Sequence, residues 1–221
     1  VYIVADGVGG ADAGEVASQY ASEQTLKHYL EDDGRTDWGA RLIDAMQAAN
    51  TDLRSLAAGR DDSRRMATTM VAAVIQDGHA YIGNVGDSRA YLISSSGGWI
   101  NQITDDHSFV EALMAAGHIT PEQAAVHPMR NVLYRALGQV DDTEADLYVR
   151  PLSAGDWLVL CSDGLTRHVT GAEIAEIVRA SAAPDEVTHR LVTLANERGG
   201  EDNISVVAIV MERAGEVEPG A

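Results

Sequence analysis

Four aspartates of this chain each stand at one end of an apolar run that is typical of a buried strand. Asp6 follows residues 1–5, Asp87 follows residues 80–85, Asp163 follows residues 157–162, and Asp202 comes just before residues 204–210. A single Asp-Gly pair beside an apolar run indicates first of all a hairpin turn. Four carboxylates that recur at strand ends favour a shared site instead, and the neighbouring glycines let the backbone approach a ligand closely.

The ligand chemistry of such a site is that of a hard divalent cation. The histidines show no spacing typical of a zinc site, and the one cysteine is isolated. Donor sets made only of oxygen suit Mg²⁺ or Mn²⁺, which accept carboxylates, a backbone carbonyl and several waters. Two such ions about 3.5–4 Å apart can activate a water and clamp a phosphoryl group. The aspartates therefore indicate metal-assisted phosphate chemistry.

Six motifs, taken in their order along the chain, resemble those of a known family. They are Asp-Gly-Val-Gly-Gly at 6–10, Met-Ala-Thr-Thr at 66–69, Gly-Asp-Ser-Arg-Ala-Tyr at 86–91, Asp-His-Ser at 106–108, Cys-Ser-Asp-Gly-Leu at 161–165 and Gly-Gly-Glu-Asp-Asn at 199–203. The chain resembles the metal-dependent protein phosphatases of the PPM (PP2C-like) type, and a bacterial member in particular. The resemblance extends from Val1 to about Met211.

The resemblance implies a role for each aspartate. Asp6 matches the residue that bridges two core metal ions, and Gly7 matches the residue whose carbonyl binds one of them. Asp163 and Asp202 match ligands of the other ion, so Asp6, Asp163 and Asp202 are the implied catalytic residues, acting through bound metal and water. Asp87 matches a ligand that, with Asp163, holds a third and weaker ion. The implied cofactors are Mn²⁺ or Mg²⁺.

The implied reaction is hydrolysis of phosphoserine and phosphothreonine in proteins, by direct attack of a metal-activated water. The implied partners are phosphorylated proteins that a Ser/Thr kinase has modified, as in bacterial signalling. Two alternatives stay open, namely a phosphoprotein-binding regulatory module without turnover and a phosphoesterase for small molecules. Val8 stands where eukaryotic relatives often have a histidine that can protonate the leaving group, so the general acid is open too.

Two arginines near the aspartates have different expected roles. Arg167, four residues after Asp163, is a candidate for binding the phosphate of the substrate, because bacterial relatives often have an acidic residue near this position. The alternative is an ordinary surface charge. Arg89, inside a strand motif, is expected to pair with a carboxylate in the fold.

Composition limits the partners and the compartment. The 221 residues carry a formal net charge of −18, which disfavours nucleic acid and anionic membrane surfaces as partners. No run approaches the roughly 20 apolar residues of a membrane span. The single cysteine, Cys161, cannot form an intrachain disulfide, which favours a reducing, cytoplasmic compartment.

The pattern of elements predicts an α+β fold. Amphipathic helices are expected at 14–30, 37–56, 172–180 and 184–198, and strands at 1–5, 67–76, 79–85, 90–94, 99–104, 147–151, 156–162 and 204–211. The resemblance sharpens this prediction to a four-layer α-β-β-α sandwich of two antiparallel sheets flanked by helices. Ser108, with Glu111 completing a capping-box pattern, and Thr120, with Pro121 after it, predict the N-caps of two short helices. The segment at about 108–131 resembles the flap subdomain that lies beside the active site in the family, and the alternative is an ordinary surface helix pair.

The expected domain covers residues 1–211, and residues 212–221 are expected to form a tail or linker. Relatives carry a further strand upstream of the one that matches residues 1–5, with a phosphate-binding arginine and an acidic residue near the second metal. This sequence shows no counterpart of either, so the domain is expected to lack its first strand and to leave a sheet edge unpaired.

Overall fold

A computed structural model of the chain describes residues 1–9, 11–58, 66–94 and 96–212, without the side chains of residues 11 and 12. The predicted tail at 212–221 lies outside the described residues except for Glu212, and Gly10 of the first motif also lies outside them. In chain order the elements are β1 (Tyr2–Val4), β2 (Gly7–Val8), α1 (Ala11–Glu31), α2 (Trp38–Ala57), β3 (Ala67–Thr68), β4 (Met70–Gln76), β5 (His79–Val85), β6 (Arg89–Ile93), β7 (Ile100–Gln102), α3 (Phe109–Ala115), α4 (Pro121–Ala125), β8 (Asp146–Pro151), β9 (Trp157–Cys161), α5 (Asp163–Thr166), α6 (Gly171–Arg179), α7 (Pro184–Glu197) and β10 (Val206–Val210).

Two antiparallel sheets form the middle of the fold. The first has the strand order β1-β4-β5-β8 and the second has the order β10-β9-β6-β7. Small and branched apolar side chains fill the space between them, and they alternate along the strands as a half-buried pleat requires. The members of this inner core include Val4, Val71, Ile82, Leu92, Leu158, Leu160 and Ile209.

Helices cover the outer face of each sheet. The core of α1 and α2 against the first sheet includes Leu42, Met46, Leu53 and Met70. The core of α5, α6 and α7 against the second sheet includes Val159, Leu165, Ile174 and Leu191. The four-layer α+β prediction is therefore confirmed. None of the helices in the described ranges combines the length and the apolar character needed to cross a bilayer.

The predicted flap, residues 108–131, contains α3 and α4. At α4 the Thr120 hydroxyl accepts from the Gln123 N–H, the Gln123 side chain accepts from the Thr120 N–H, and Pro121 occupies the first turn. At α3 the Ser108 hydroxyl accepts from the Glu111 N–H at 3.3 Å. The reciprocal bond from the Glu111 side chain, which the capping-box pattern predicts, is not among the bonds of the described residues; the Glu111 side chain lines a groove instead.

Candidate active site

All of the site residues predicted from the sequence line one cavity of about 140 Å³. The strand directions explain why they meet. β1, β5 and β9 all end at the same end of the sandwich, and the loop before β10 returns there. The lining includes Asp6, Gly7, Asp87, Asp163, Arg167 and Asp202.

Asp6 is held by two buried threonines of the Met-Ala-Thr-Thr motif. Its backbone N–H donates to Thr69 Oγ1 at 3.1 Å, and its carbonyl accepts from the Thr69 N–H at 2.8 Å and from Thr68 Oγ1 at 2.9 Å. Thr69 Oγ1 also lies 2.7 Å from Ser88 Oγ, next to Asp87. The motif therefore fixes the backbone at Asp6 and links it to the neighbouring strand end.

Asp163 and Asp202 are brought together by residues on either side of Asp163. Ser162 Oγ donates to the Asn203 carbonyl at 3.3 Å and accepts from the Ser205 N–H at 3.1 Å. On the other side, a Cβ built on Gly164 would lie 2.2 Å from the Asn203 carbonyl oxygen, so only glycine permits this approach. The sequence predicts Ser162 as the last residue of a strand, whereas in the structure β9 ends at Cys161 and Ser162 is the N-cap of α5.

Burial and nearby carboxylates raise the proton affinity of Asp6 and Asp87. Burial, followed by the neighbouring charges of Asp163 and Asp202, raises the pKa of Asp6 to about 7. Burial, followed by Asp163 and Asp106, raises the pKa of Asp87 to about 7. The negative charge of the carboxylates in this cavity therefore exceeds the positive charge of the side chains around them. Such a site favours a bound cation.

Arg167 supplies one internal countercharge. It pairs with the Asp163 carboxylate, and its Nη1 donates to Asp202 Oδ2 at 3.2 Å. Within the described ranges, no three His, Cys, Asp or Glu side chains are grouped closely enough to enclose one ion in this arrangement. The donor set still fits Mg²⁺ or Mn²⁺, because its groups are carboxylates with a backbone carbonyl and both ions accept water in the remaining positions.

Arg89 confirms the expectation of an internal ion pair. Its Nε and Nη2 donate to the Asp106 carboxylate, with Nη2 2.7 Å from Oδ2. Asp106 is only 7% exposed. This bidentate pair joins the start of β6 to the segment that leads into the flap. Asp106 was not singled out as the partner, because the sequence does not show which acidic residue faces β6.

A larger groove of about 560 Å³ opens beside the carboxylate cavity. The flap contributes Val110, Met114 and Ala124 to its lining, and Glu201 lines it as well. Four residues line both spaces: Asp87, Asn131, Asp163 and Arg167. The groove is therefore continuous with the carboxylate cavity and large enough for an extended peptide segment.

Arg130, on this groove, was missed in the sequence. It is exposed, and no ion pair or side-chain hydrogen bond of Arg130 appears among the described residues. Most other arginines near the site are already paired with aspartates. The sequence carries no local signal for Arg130, because whether an arginine has a carboxylate partner depends on contacts between distant segments.

Comparison with known proteins identifies the family. The family profile described as Protein phosphatase 2C matches residues 1–201. The chain belongs to this family. It is 39% identical to the serine/threonine phosphatase stp of Listeria innocua over 212 residues, which are 95% of this chain and 83% of the relative.

Solved structures of the family share the fold. The serine/threonine phosphatase PstP/Ppp of Mycobacterium tuberculosis superimposes with a TM-score of 0.84 at 37% identity, over 96% of this chain and 88% of that one. Stp1 of Staphylococcus aureus gives a TM-score of 0.87 at 34% identity, over 96% and 83%. A structure of the PstP catalytic domain holds two manganese ions; its TM-score is 0.84 at 37% identity, over 95% and 87%.

These similarities confirm the functional prediction at the level of the family. The phosphatase 2C chain described here is a metal-dependent serine/threonine protein phosphatase. Its substrates are therefore phosphoproteins as a class.

Proposed function

We propose that Asp6, Asp163 and Asp202, with the Gly7 carbonyl, hold two divalent ions, Mn²⁺ or Mg²⁺, and that Asp87 with Asp163 holds a third. The observation that carries this proposal is the meeting of four carboxylates from both sheets in one cavity. The raised pKa values of Asp6 and Asp87 support it, since charge of this sign is relieved by a cation.

When bound, two such ions supply an activated water and neutralise charge on the phosphoryl group. The chain's own residues set the geometry for this chemistry. Thr69 and Ser162 hold the segments that carry Asp6 and Asp163, while Arg167 lies at the opening toward the groove. A cation at that position can receive the phosphate of a substrate.

Direct attack by water, without a phosphoenzyme, is supported by the state of the nearby nucleophiles. The Ser162 hydroxyl is engaged with Asn203 and Ser205. Cys161 is buried, and burial raises the pKa of its thiol to about 12. A neutral, enclosed thiol and an engaged hydroxyl are poor nucleophiles.

The proposed substrates are phosphoserine and phosphothreonine segments of kinase-modified proteins, which bind in the groove lined by the flap and Glu201. We further propose a cytoplasmic location for the protein. Its buried free Cys161 supports a reducing compartment, where kinase targets are also found.

The test is hydrolysis of a chromogenic aryl phosphate and a phosphothreonine peptide, with Mn²⁺ titrated into chelator-treated protein. Asp6→Asn and Asp163→Asn are expected to abolish turnover and core metal binding by calorimetry. Asp87→Asn is expected to lower turnover while two tight ions remain. Chelator-resistant turnover would contradict the proposal, binding without turnover would indicate a regulatory module, and a preference for free phosphometabolites would indicate a small-molecule phosphoesterase.

A further inference from the structure

The His107 ring holds the turn that carries Asp87. The ring is buried, with 2% of the residue exposed, and its Nδ1 accepts a hydrogen bond from the Gly86 N–H at 3.1 Å. The His107 backbone N–H in turn donates to the Gly86 carbonyl at 2.9 Å. Because Nδ1 accepts, the ring proton lies on Nε2, which faces Asp146 Oδ2 at 3.1 Å. Gly86 is thus bound on both of its backbone polar groups by one residue.

These hydrogen bonds stabilise an unusual backbone conformation at Gly86. Its φ of +105° lies in the region that favours glycine, and a Cβ there would approach the Thr69 Cβ to 2.6 Å. The Asn84 side chain also donates to the Gly86 carbonyl, at 3.3 Å. The direction of the next residue, Asp87, depends on this constrained backbone.

The same histidine forms the base of the flap. Its carbonyl accepts from the Tyr134 N–H at 3.0 Å, and the Phe109 N–H donates to the Val132 carbonyl at 2.8 Å. The chain entering the flap is therefore paired with the chain leaving it, and Asn131, which lines both the cavity and the groove, comes just before this pairing.

We propose that His107 is a positioning residue that couples the base of the flap to the Gly86–Asp87 turn. Displacement of the flap base by a substrate in the groove moves the His107 backbone, and the two bonds to Gly86 transmit that movement to Asp87. Asp146 and Arg135 fix the far side of the ring, since Arg135 Nη1 donates to Asp146 Oδ1 at 2.8 Å. The effect on catalysis rests on the proposed role of Asp87 as a metal ligand, whereas the coupling between the flap base and the Gly86–Asp87 turn does not.

The test compares His107→Ala with His107→Asn, whose Oδ1 can replace Nδ1 as the acceptor for the Gly86 N–H. Amide hydrogen exchange is measured at Gly86 and at Tyr134, together with kcat, KM and Mn²⁺ affinity. Loss of one hydrogen bond of typical strength corresponds to about fivefold faster exchange. We expect His107→Ala to accelerate exchange at both amides by at least this factor and to lower kcat more than KM changes, and His107→Asn to restore both readouts substantially. His79→Ala, which alters a histidine at the opposite end of β5, is the matched control.

The coupling is overturned if exchange accelerates at Gly86 alone, or if His107→Asn behaves like His107→Ala. If His107→Ala fails to fold, His107→Asn still tests the proposal. In that case the exchange rate of the Gly86 amide in His107→Asn is compared directly with its rate in the native protein. Failure of the proposed metal role gives a different result. In that case Asp87→Asn leaves Mn²⁺ affinity and kcat intact, while the coupled exchange at Gly86 and Tyr134 persists.

Discussion

Thr69 Oγ1 and Ser88 Oγ lie 2.7 Å apart beneath the carboxylate cavity, and they join the segment that holds Asp6 to the residue beside Asp87. Both residues are buried, at 2% and 0% exposure. The link connects two candidate ligand positions through buried hydroxyl groups.

Thr69→Val tests this link. The valine leaves the Asp6 N–H and the Ser88 hydroxyl without their buried partner, which costs about 1–3 kcal/mol of unfolding free energy. Urea denaturation is expected to show this loss, and kcat is expected to fall because Asp6 loses part of its support. Thr51→Val is the control, since Thr51 is exposed on α2 and bonds only a carbonyl of its own helix. Equal stability of both variants would contradict the role of Thr69.

Gly164→Ala tests the close approach between α5 and the loop that carries Asp202. The new Cβ would lie 2.2 Å from the Asn203 carbonyl oxygen, so the loop must move away from Asp163. We expect a weaker affinity for Mn²⁺ by calorimetry and a lower melting temperature. Gly34→Ala, at a position with open space around the built Cβ, should change neither. Native metal affinity in Gly164→Ala would show that the loop need not stay in this position.

Arg167→Ala separates substrate binding from surface charge. Arg167 pairs with Asp163 and Asp202 and lines the groove, so its removal is expected to raise KM for a phosphothreonine peptide by about threefold to tenfold. The Mn²⁺ concentration for half-maximal activity should not rise, because the variant removes a positive charge that repels a cation bound by Asp163 and Asp202. Arg190→Ala, which breaks an exposed pair with Glu186 away from the groove, is the control. An unchanged KM would show that Arg167 is an ordinary surface charge without a role in substrate binding.

Arg130→Ala tests the exposed cation of the flap. We expect KM for an acidic phosphopeptide to rise and its dependence on salt to weaken, because the variant removes an exposed positive charge on the groove whose attraction for the peptide is screened by salt. The turnover number should stay near the native value. Arg150→Ala, at a half-buried position on β8 away from the groove, provides the comparison. The same salt dependence before and after Arg130→Ala would exclude this role.

His107 predicts how stability depends on pH. Burial, opposed by Asp146 and reinforced by Arg135, lowers the pKa of His107 below its ordinary value of 6.5. The unfolded chain therefore takes up a proton before the folded chain does, and this contribution to stability is present above about pH 6.5 and is lost as the pH falls below it. Asp6 and Asp87, whose folded-state pKa values are raised to about 7, act in the opposite direction, because the folded chain binds protons there before the unfolded chain does. The contribution of His107 is therefore read as a difference: from pH 7 to pH 5 the urea midpoint of the native protein should fall relative to that of His107→Asn. Identical pH profiles of the two proteins would contradict the assignment.

The sequence predicted the position of each candidate ligand, because an aspartate at the end of an apolar run is a local signal. It also predicted both α1 and α2, whose apolar spacing is regular. It did not predict that β10 begins only at Val206. The Ser205 carbonyl still accepts from the Ser162 N–H at 3.0 Å, but the Ser205 N–H donates to the Ser162 hydroxyl and not to a backbone carbonyl. Nor does the sequence show that Asp106 is the carboxylate that pairs with Arg89, or that Arg130 has no ion-pair partner among the described residues. Both outcomes depend on contacts between distant segments.

The proposed metal ligands come from both sheets, and this has a consequence for how the protein is made. Asp6 and Asp202 stand roughly 200 positions apart, and the inner core that sets their distance joins strands from both ends of the described chain. Contacts between such distant segments form slowly and late in folding. At a synthesis rate of about 5–20 residues per second, Asp202 leaves the ribosome roughly 10–40 s after Asp6. With the proposed ligands, a nascent chain gains phosphatase activity only after β9 and β10 have docked and brought Asp163 and Asp202 to Asp6.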